Sequence, residues 1–277
     1  MQTWTWAIPA AVALAVSTPA MAQECGTADG ICTVPEGEYR LVMPEGADGP
    51  VAAILHLHGW GASAAGALRD RDRRAAIAAR GMAFIVAQGI PRAGRTQRDW
   101  AVRDGRPHPR DDIAFLSAVL DDAATRGVDR DRVLLTGFSR GGSFVWDVAC
   151  EAPGFARAYA AVSGAFWNPL PEGCAGPVDL LHVHGWADGV VPLEGRAFTS
   201  ATQGDVFAAL FLLRASNGCD ARHPDVTAAE AEPALWWRRW TGCEGGRIDL
   251  ALHTGGHAPP RGWTALMLDW FEERLAE

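Results

Sequence analysis

The chain has 277 residues, 48% apolar and 21% charged, which fits a folded globular protein and excludes disordered or fibrous architectures. Its formal charge is −8 and all 25 basic residues are arginine, so it has no lysine to act as a Schiff-base amine or to complete a phosphate-binding loop. An acidic chain without lysine clusters also argues against a nucleic-acid partner.

Residues 6–16 form a short apolar run, followed by Ser17-Thr18-Pro19 and then Ala20-Met21-Ala22, the small-x-small pattern that a signal peptidase needs. Residues 1–22 are therefore expected to be a signal peptide cut after Ala22, giving a secreted or periplasmic chain of residues 23–277. The run is shorter than the ~20 apolar residues that cross a bilayer. Ala22-Gln23-Glu24, preceding Cys25, lacks the small apolar residues of a lipid-attachment site, so no membrane anchor is expected. Export places Cys25, Cys32, Cys150, Cys174, Cys219 and Cys243 in an oxidising space, where an even count reads as disulfides. Connectivity is open on sequence alone; chain order favours Cys25 with Cys32, Cys150 with Cys174, and Cys219 with Cys243.

Beyond residue 35 short apolar runs alternate with helical patterns, the sequence form of a mostly parallel sheet with helices on both faces. Strands are expected at residues 39–43, 52–58, 83–87, 133–136, 158–162, 179–184 and 248–253. Among the helices, residues 112–124 place Ile113, Leu116, Val119 and Leu120 on one side, with Asp111 and Asp112 at the end where carboxylates suit the helix dipole. Further helices are expected at 143–149, 205–213 and 263–275. Residues 92–110, rich in Arg, Asp and Pro, read as a long surface loop. With no repeat or composition break, residues 23–277 are expected to form a single α/β catalytic domain, working as a monomer.

The strongest chemical signal is Gly137-Phe138-Ser139-Arg140-Gly141-Gly142, between the apolar run Val133-Leu134-Leu135-Thr136 and a helix. In that setting G-x-S-x-G is a nucleophile elbow: glycines permit a sharp turn and the serine oxygen stands clear of the sheet. A serine hydroxyl needs a histidine base and a carboxylate to orient it, in chain order Ser, Asp, His. Asp188, just past the strand ending at His184, and His257, in Gly255-Gly256-His257 past the last strand, fill those places. Asp225 is a weaker candidate for the acid because it follows no strand. The backbone N–H of Arg140, next after the nucleophile, supplies one oxyanion donor, and that of Trp60, in His58-Gly59-Trp60-Gly61, the second. Trp60, Trp100, Trp167 and Trp186 fall near the elbow and are candidates to bind substrate, with about half of them expected as buried supports. No cofactor or metal is required. Activity should fall in acid, because His257 must be neutral to accept the serine proton.

His56/His58 and His182/His184 offer a rival chemistry, since alternate strand residues share a face and can chelate a metal. In the expected fold the two pairs are separated by the strands leading to Ser139 and Ser163, at about 4.8 Å per step, too far to share one ion. A serine peptidase of the same fold would use the same residues.

These residues resemble the secreted α/β-hydrolase esterases grouped with polyhydroxybutyrate depolymerases and feruloyl or acetylxylan esterases. The likeness runs from about Gly37 to His257 and rests on Leu57-His58-Gly59, Asp111-Asp112-Ile113, Thr136-Gly137-Phe138-Ser139-Arg140-Gly141-Gly142, His184-Gly185 with Asp188, Asn217-Gly218-Cys219 and Gly255-Gly256-His257. It implies the α/β-hydrolase fold, Ser139 as nucleophile, Asp188 as acid, His257 as base, Trp60 and Arg140 as oxyanion donors, a Cys219–Cys243 bond, and a small or oligomeric ester as substrate. Three positions depart from the family pattern: Trp60 stands where Cys is common, Arg140 where Asn is common, and Ala258-Pro259-Pro260 in place of Trp-Pro. These alter the pocket wall and leave the particular ester open. The chain shows no appended linker and substrate-binding module, so a soluble ester or oligomer is expected rather than crystalline polymer.

Overall fold

The computed structural model describes residues 1–2, 25–27, 30–219, 223–231 and 234–277. The expected cleavage site after Ala22 lies outside them. In chain order the elements are β1 (Cys32–Val34), β2 (Gly37–Val42), β3 (Val51–Leu57), α1 (Ala64–Ala67), α2 (Arg71–Ala79), β4 (Ala83–Ala87), β5 (Ile90–Pro91), β6 (Arg98–Asp99), α3 (Asp112–Ala124) and β7 (Val128–Phe138). There follow α4 (Arg140–Glu151), β8 (Ala158–Val162), β9 (Asp179–Gly185), β10 (Arg196–Ala197), β11 (Thr202–Gln203), α5 (Val206–Ser216), β12 (Val226–Ala231), β13 (Ala234–Trp240), β14 (Arg247–His253) and α6 (Trp263–Leu275).

Ten strands form one sheet in the order β1-β2-β4-β3-β7-β8-β9-β14-β13-β12. The pairs from β4 through β3, β7, β8 and β9 to β14 are parallel, and the outer pairs on both sides are antiparallel. Alternation of side chains along each strand divides the interior in two. In β3, Ala53, Leu55 and Leu57 join the core beneath α3, α4 and α5, while Ala52 and Ile54 join the one beneath α1, α2 and α6. A sheet covered this way buries both faces, which is why its strands read as continuous apolar runs.

Three of the expected segments differ in extent or setting, and α1, α2, β12 and β13 are not among the strands and helices expected. The strand expected at 133–136 extends back to Val128, through Asp129–Arg132, because charged residues are tolerated where the strand end reaches the surface; a register shift against β3 marks the change. The helix expected at 143–149 begins at Arg140, directly after the serine. Residues 92–110 are no plain surface loop: Arg92, Asp99, Trp100, Val102 and Asp104 are all buried, and the segment contains β6, which pairs back on β5 just before it. Sulfurs pair in chain order, Cys25–Cys32, Cys150–Cys174 and Cys219–Cys243. Three disulfides fit an oxidising, extracellular-type compartment. No helix among the described residues is long and apolar enough to cross a membrane.

Candidate active site

Each of the three favoured catalytic candidates follows the carboxyl end of a parallel strand: Ser139 after β7, Asp188 after β9 and His257 after β14. This is the rim where open α/β sheets place their ligands. Ser139 holds φ 56° and ψ −120°, a region that side chains avoid, so the chain reverses from strand to helix within one residue. The flanking glycines make the turn possible through space rather than torsion. A Cβ on Gly141 would collide with the Leu57 carbonyl, and one on Gly137 with that of Gly141. Helix α4 can thus press its first turn against the end of β3.

The three side chains form one hydrogen-bonded line. His257 Nε2 lies 2.8 Å from Ser139 Oγ, and His257 Nδ1 lies 2.8 Å from Asp188 Oδ2. With Nδ1–H donating to the carboxylate, Nε2 is left to accept from the serine hydroxyl. Asp188 Oδ1 accepts from the backbone N–H groups of Val190 and Val191, at 2.9 and 2.8 Å. Burial by itself would raise the Asp188 carboxyl; these two amides and the imidazole outweigh it and hold it below the usual carboxylate range. Asp225, the weaker candidate, caps a turn instead, accepting from the N–H groups of Thr241 and Gly242 far along the sheet.

Three of the four His-x-His rings have structural work: His58, His182 and His184. Trp146 Nε1–H donates to His182 Nδ1 (3.3 Å), His182 Nε2 meets His184 Nδ1 (2.9 Å), and His184 Nε2 reaches the Val191 carbonyl (2.7 Å). One tautomer of each ring satisfies the whole chain, Nε2–H throughout. His184 Nε2 also stands 3.5 Å from Asp188 Oδ2, so this line ends on the back of the candidate acid. Burial, first of all, lowers both rings and keeps them neutral. His58 lies just past β3, with Nδ1 donating to the Gly59 carbonyl (2.8 Å) and Nε2 accepting from Gly89 N–H (3.0 Å). It stiffens the turn that carries Trp60. Order β3-β7-β8-β9 keeps the two pairs apart as the sequence suggested, and no group of three or more metal-ligating side chains occurs among the described residues.

A cleft of about 580 Å³ opens over the serine, lined among others by Trp60, Arg140, Trp167, Val191, Phe198 and Gln203. Trp60 and Trp167 thus face the same space as Ser139. A Cβ on Gly59 would stand in van der Waals contact, 3.5 Å, with the Ser139 Cβ, so the turn that carries Trp60 runs beside Ser139. The other two tryptophans do not line the cleft. Trp100 is fully buried, donates its indole N–H to the His58 carbonyl (2.8 Å) and stacks on Phe144. A support of the turn is its place, so it is corrected from a substrate contact to a buried prop. Trp186 is 63% exposed beyond β9 and stands outside the cleft lining.

The sequence reading missed the charged layer under this cleft. Arg92 and Arg140 donate to Asp99, with Nε–O distances of 2.7 and 2.6 Å, and both, together with Arg106, also reach Asp104. Against burial, these guanidiniums hold Asp104 down to about 2 and keep Asp99 low as well. Trp100 and Val102, apolar residues inside an otherwise polar stretch, were the available signal that residues 92–110 turn inward.

No protein-family model matches the chain. A Nocardia uniformis subsp. tsuyamanensis protein with a provisional esterase name, NocK, is 33% identical over 172 residues, 59% of this chain and 48% of that protein. Feruloyl esterase C of Emericella nidulans is 29% identical over 189 residues, 65% of each chain. The chain therefore spans about half to two-thirds of these curated relatives. Among solved structures, an acetyl xylan esterase from Aspergillus awamori superposes with a TM-score of 0.65 at 14% identity, covering 85% of this chain and 93% of that one, a likeness of fold. Sequence similarity to proteins named as esterases and a likeness of fold to an acetyl xylan esterase thus meet on a chain whose parallel sheet carries a sharp strand–Ser139–helix turn at its rim.

Proposed function

We propose that the chain is a serine hydrolase of carboxylic esters, with Ser139 as nucleophile, His257 as general base and Asp188 as the carboxylate that orients it. The observation that carries this is the unbroken line from Ser139 Oγ through both nitrogens of His257 to Asp188, each step 2.8 Å. His257 takes the hydroxyl proton as Oγ attacks the ester carbonyl, and the imidazolium formed is stabilised by Asp188. Charge gathering on the carbonyl oxygen is met by the backbone N–H groups of Arg140, at the positive end of α4, and of Trp60. His257 then protonates the departing alcohol. Water, deprotonated by the same ring, releases the acid from Ser139 and restores the enzyme.

The names of the relatives make feruloyl and acetyl-xylan esters the first substrates to try, and a cleft walled by Trp60, Trp167 and Phe198 suits an aromatic or sugar ring. Oligomers of 3-hydroxybutyrate form the third class. The enzyme acts as a monomer after export and removal of residues 1–22. A fluorophosphonate should label the wild type and not Ser139→Ala, and turnover of methyl ferulate, acetylated xylan or hydroxybutyrate oligomers should drop about 10³-fold or more in that variant. Unchanged turnover in Ser139→Ala would overturn the assignment.

A further inference from the structure

The cleft wall is cationic although the chain as a whole is acidic. Among its lining residues stand five arginines, Arg92, Arg95, Arg106, Arg140 and Arg196, and one carboxylate, Asp99. The guanidiniums differ in what they have left to give. Arg92 is spent: besides Asp99 it donates to the carbonyls of Arg106, Pro107 and Trp100. Arg140 uses Nε and Nη2 on Asp99 and Asp104, while its Nη1 is buried without a hydrogen-bond acceptor and its guanidinium carbon lies 4.9 Å from the Trp167 ring centroid. Arg92, Arg106 and Arg140 thus share two buried carboxylates, which leaves one positive charge over.

Two more charges have no carboxylate partner among the described residues. Arg95 is exposed at the cleft edge. Arg196 donates to the carbonyls of Gly189 (2.9 Å) and Val190 (2.8 Å), which fix its position without neutralising it, and it lies 4.5 Å over the Phe198 ring. Phe198 in turn stacks on Trp167 at 5.7 Å. Uncompensated guanidiniums over flat apolar walls bind carboxylates well, because the fork geometry is bidentate and the low-dielectric wall strengthens it.

We propose that this cleft selects esters that carry a carboxylate in addition to the ester group, with Arg95 and Arg196 receiving it. The inference rests on the ester-hydrolase reading and adds the charge of the substrate to it. Two matched pairs test it: monoethyl adipate against ethyl hexanoate, with the charge on the acyl side, and 4-acetoxybenzoate against 4-acetoxybenzamide, with the charge on the alcohol side. At about 20 mM salt, kcat/KM for the charged member of one pair should exceed that of its neutral partner at least about tenfold, and the ratio should shrink several-fold at about 500 mM. In Arg95→Gln, and further in Arg95→Gln/Arg196→Gln, the same ratio should fall toward one. Because each ratio compares two substrates on one enzyme, a general loss of activity from disturbing the Gly189–Val190 turn does not mimic the effect. A ratio at or below one in both pairs, or a high ratio that neither variant changes, would overturn the proposal while leaving ester hydrolysis intact. Failure to turn over all four esters, together with no fluorophosphonate labelling, would overturn the hydrolase reading and this one with it.

Discussion

Ser139 is held where it is at the expense of its own backbone. A non-glycine residue at φ 56° and ψ −120° costs on the order of 1–3 kcal/mol, which the packing of α4 against β3 and β8 must offset. Ser139→Gly should therefore abolish activity yet raise the stability by about 1 kcal/mol, read as a higher urea midpoint; a lower midpoint would mean the torsion is not strained. His184 permits a second test at this scale. Replacing it with Phe keeps the volume but removes the donor to Val191 O and the neighbour of Asp188. Turnover should drop about tenfold with KM little changed, because what is lost is the aim of the carboxylate on His257 rather than a substrate contact. The hydrogen-bonded line of Ser139, His257 and Asp188 could be read from the letters because each of the three follows an apolar strand. His184 could not, since a His-x-His pair looks the same whether its nitrogens meet a metal or each other.

Among the elements, the segment from residues 92 to 110 departs most from its sequence. Composition rich in Arg and Asp normally marks a solvated loop, but opposite charges that are paired can be buried, and here they form a floor beneath Trp60 and Trp167. Asp104→Ala would leave Arg92, Arg106 and Arg140 facing Asp99 alone. Such a variant should lose roughly 3–5 kcal/mol in denaturant unfolding, the cost of an uncompensated buried charge. Helices α1 and α2 were illegible for a related reason: in Arg71–Ala79 only Ile77 is buried, too little to show a period. The β12–β13 hairpin at the sheet edge carries Trp236-Trp237-Arg238-Arg239-Trp240, of which Trp237 and Trp240 are buried together with Leu235 while Trp236 is exposed. By contrast α6 was read at its observed bounds, because its apolar residues recur at helical spacing.

Considered whole, the molecule carries buried titratable groups that pull its stability from both sides of neutrality. Asp147, buried within α4, is pushed up to about 7, first by burial and then by Glu151, although the Arg103 N–H donates to it. Its folded value exceeds the unfolded one, so the fold binds the extra proton, and stability is lost as pH rises from about 4 through 7. Asp99, Asp104 and Asp188 are depressed and act in the opposite sense: what they contribute is present above the unfolded carboxylate range and is lost as pH falls toward 2. His56, His182 and His184, lowered by burial, act in the same sense, their contribution being lost as pH falls below the unfolded imidazole value of about 6.5. Unfolding free energy should therefore be greatest near neutrality, and Asp147→Asn should flatten its decline toward pH 8, gaining on the order of 2–4 kcal/mol there. Equal stability of the variant and wild type at pH 8 would remove Asp147 from this role. The two-faced sheet was legible at this scale, since buried parallel strands leave uninterrupted apolar runs.

Two of the three disulfides sit away from the chemistry. Cys150 ends the helix that Ser139 begins, and the Cys219–Cys243 bond lies ahead of β14, at the end opposite to His257. Cutting either of these two bonds therefore releases no tether at the rim that carries Ser139 and His257. Dithiothreitol should leave initial velocity untouched, and inactivation should follow the collapse of the whole molecule, its time course superimposing on the loss of tryptophan fluorescence.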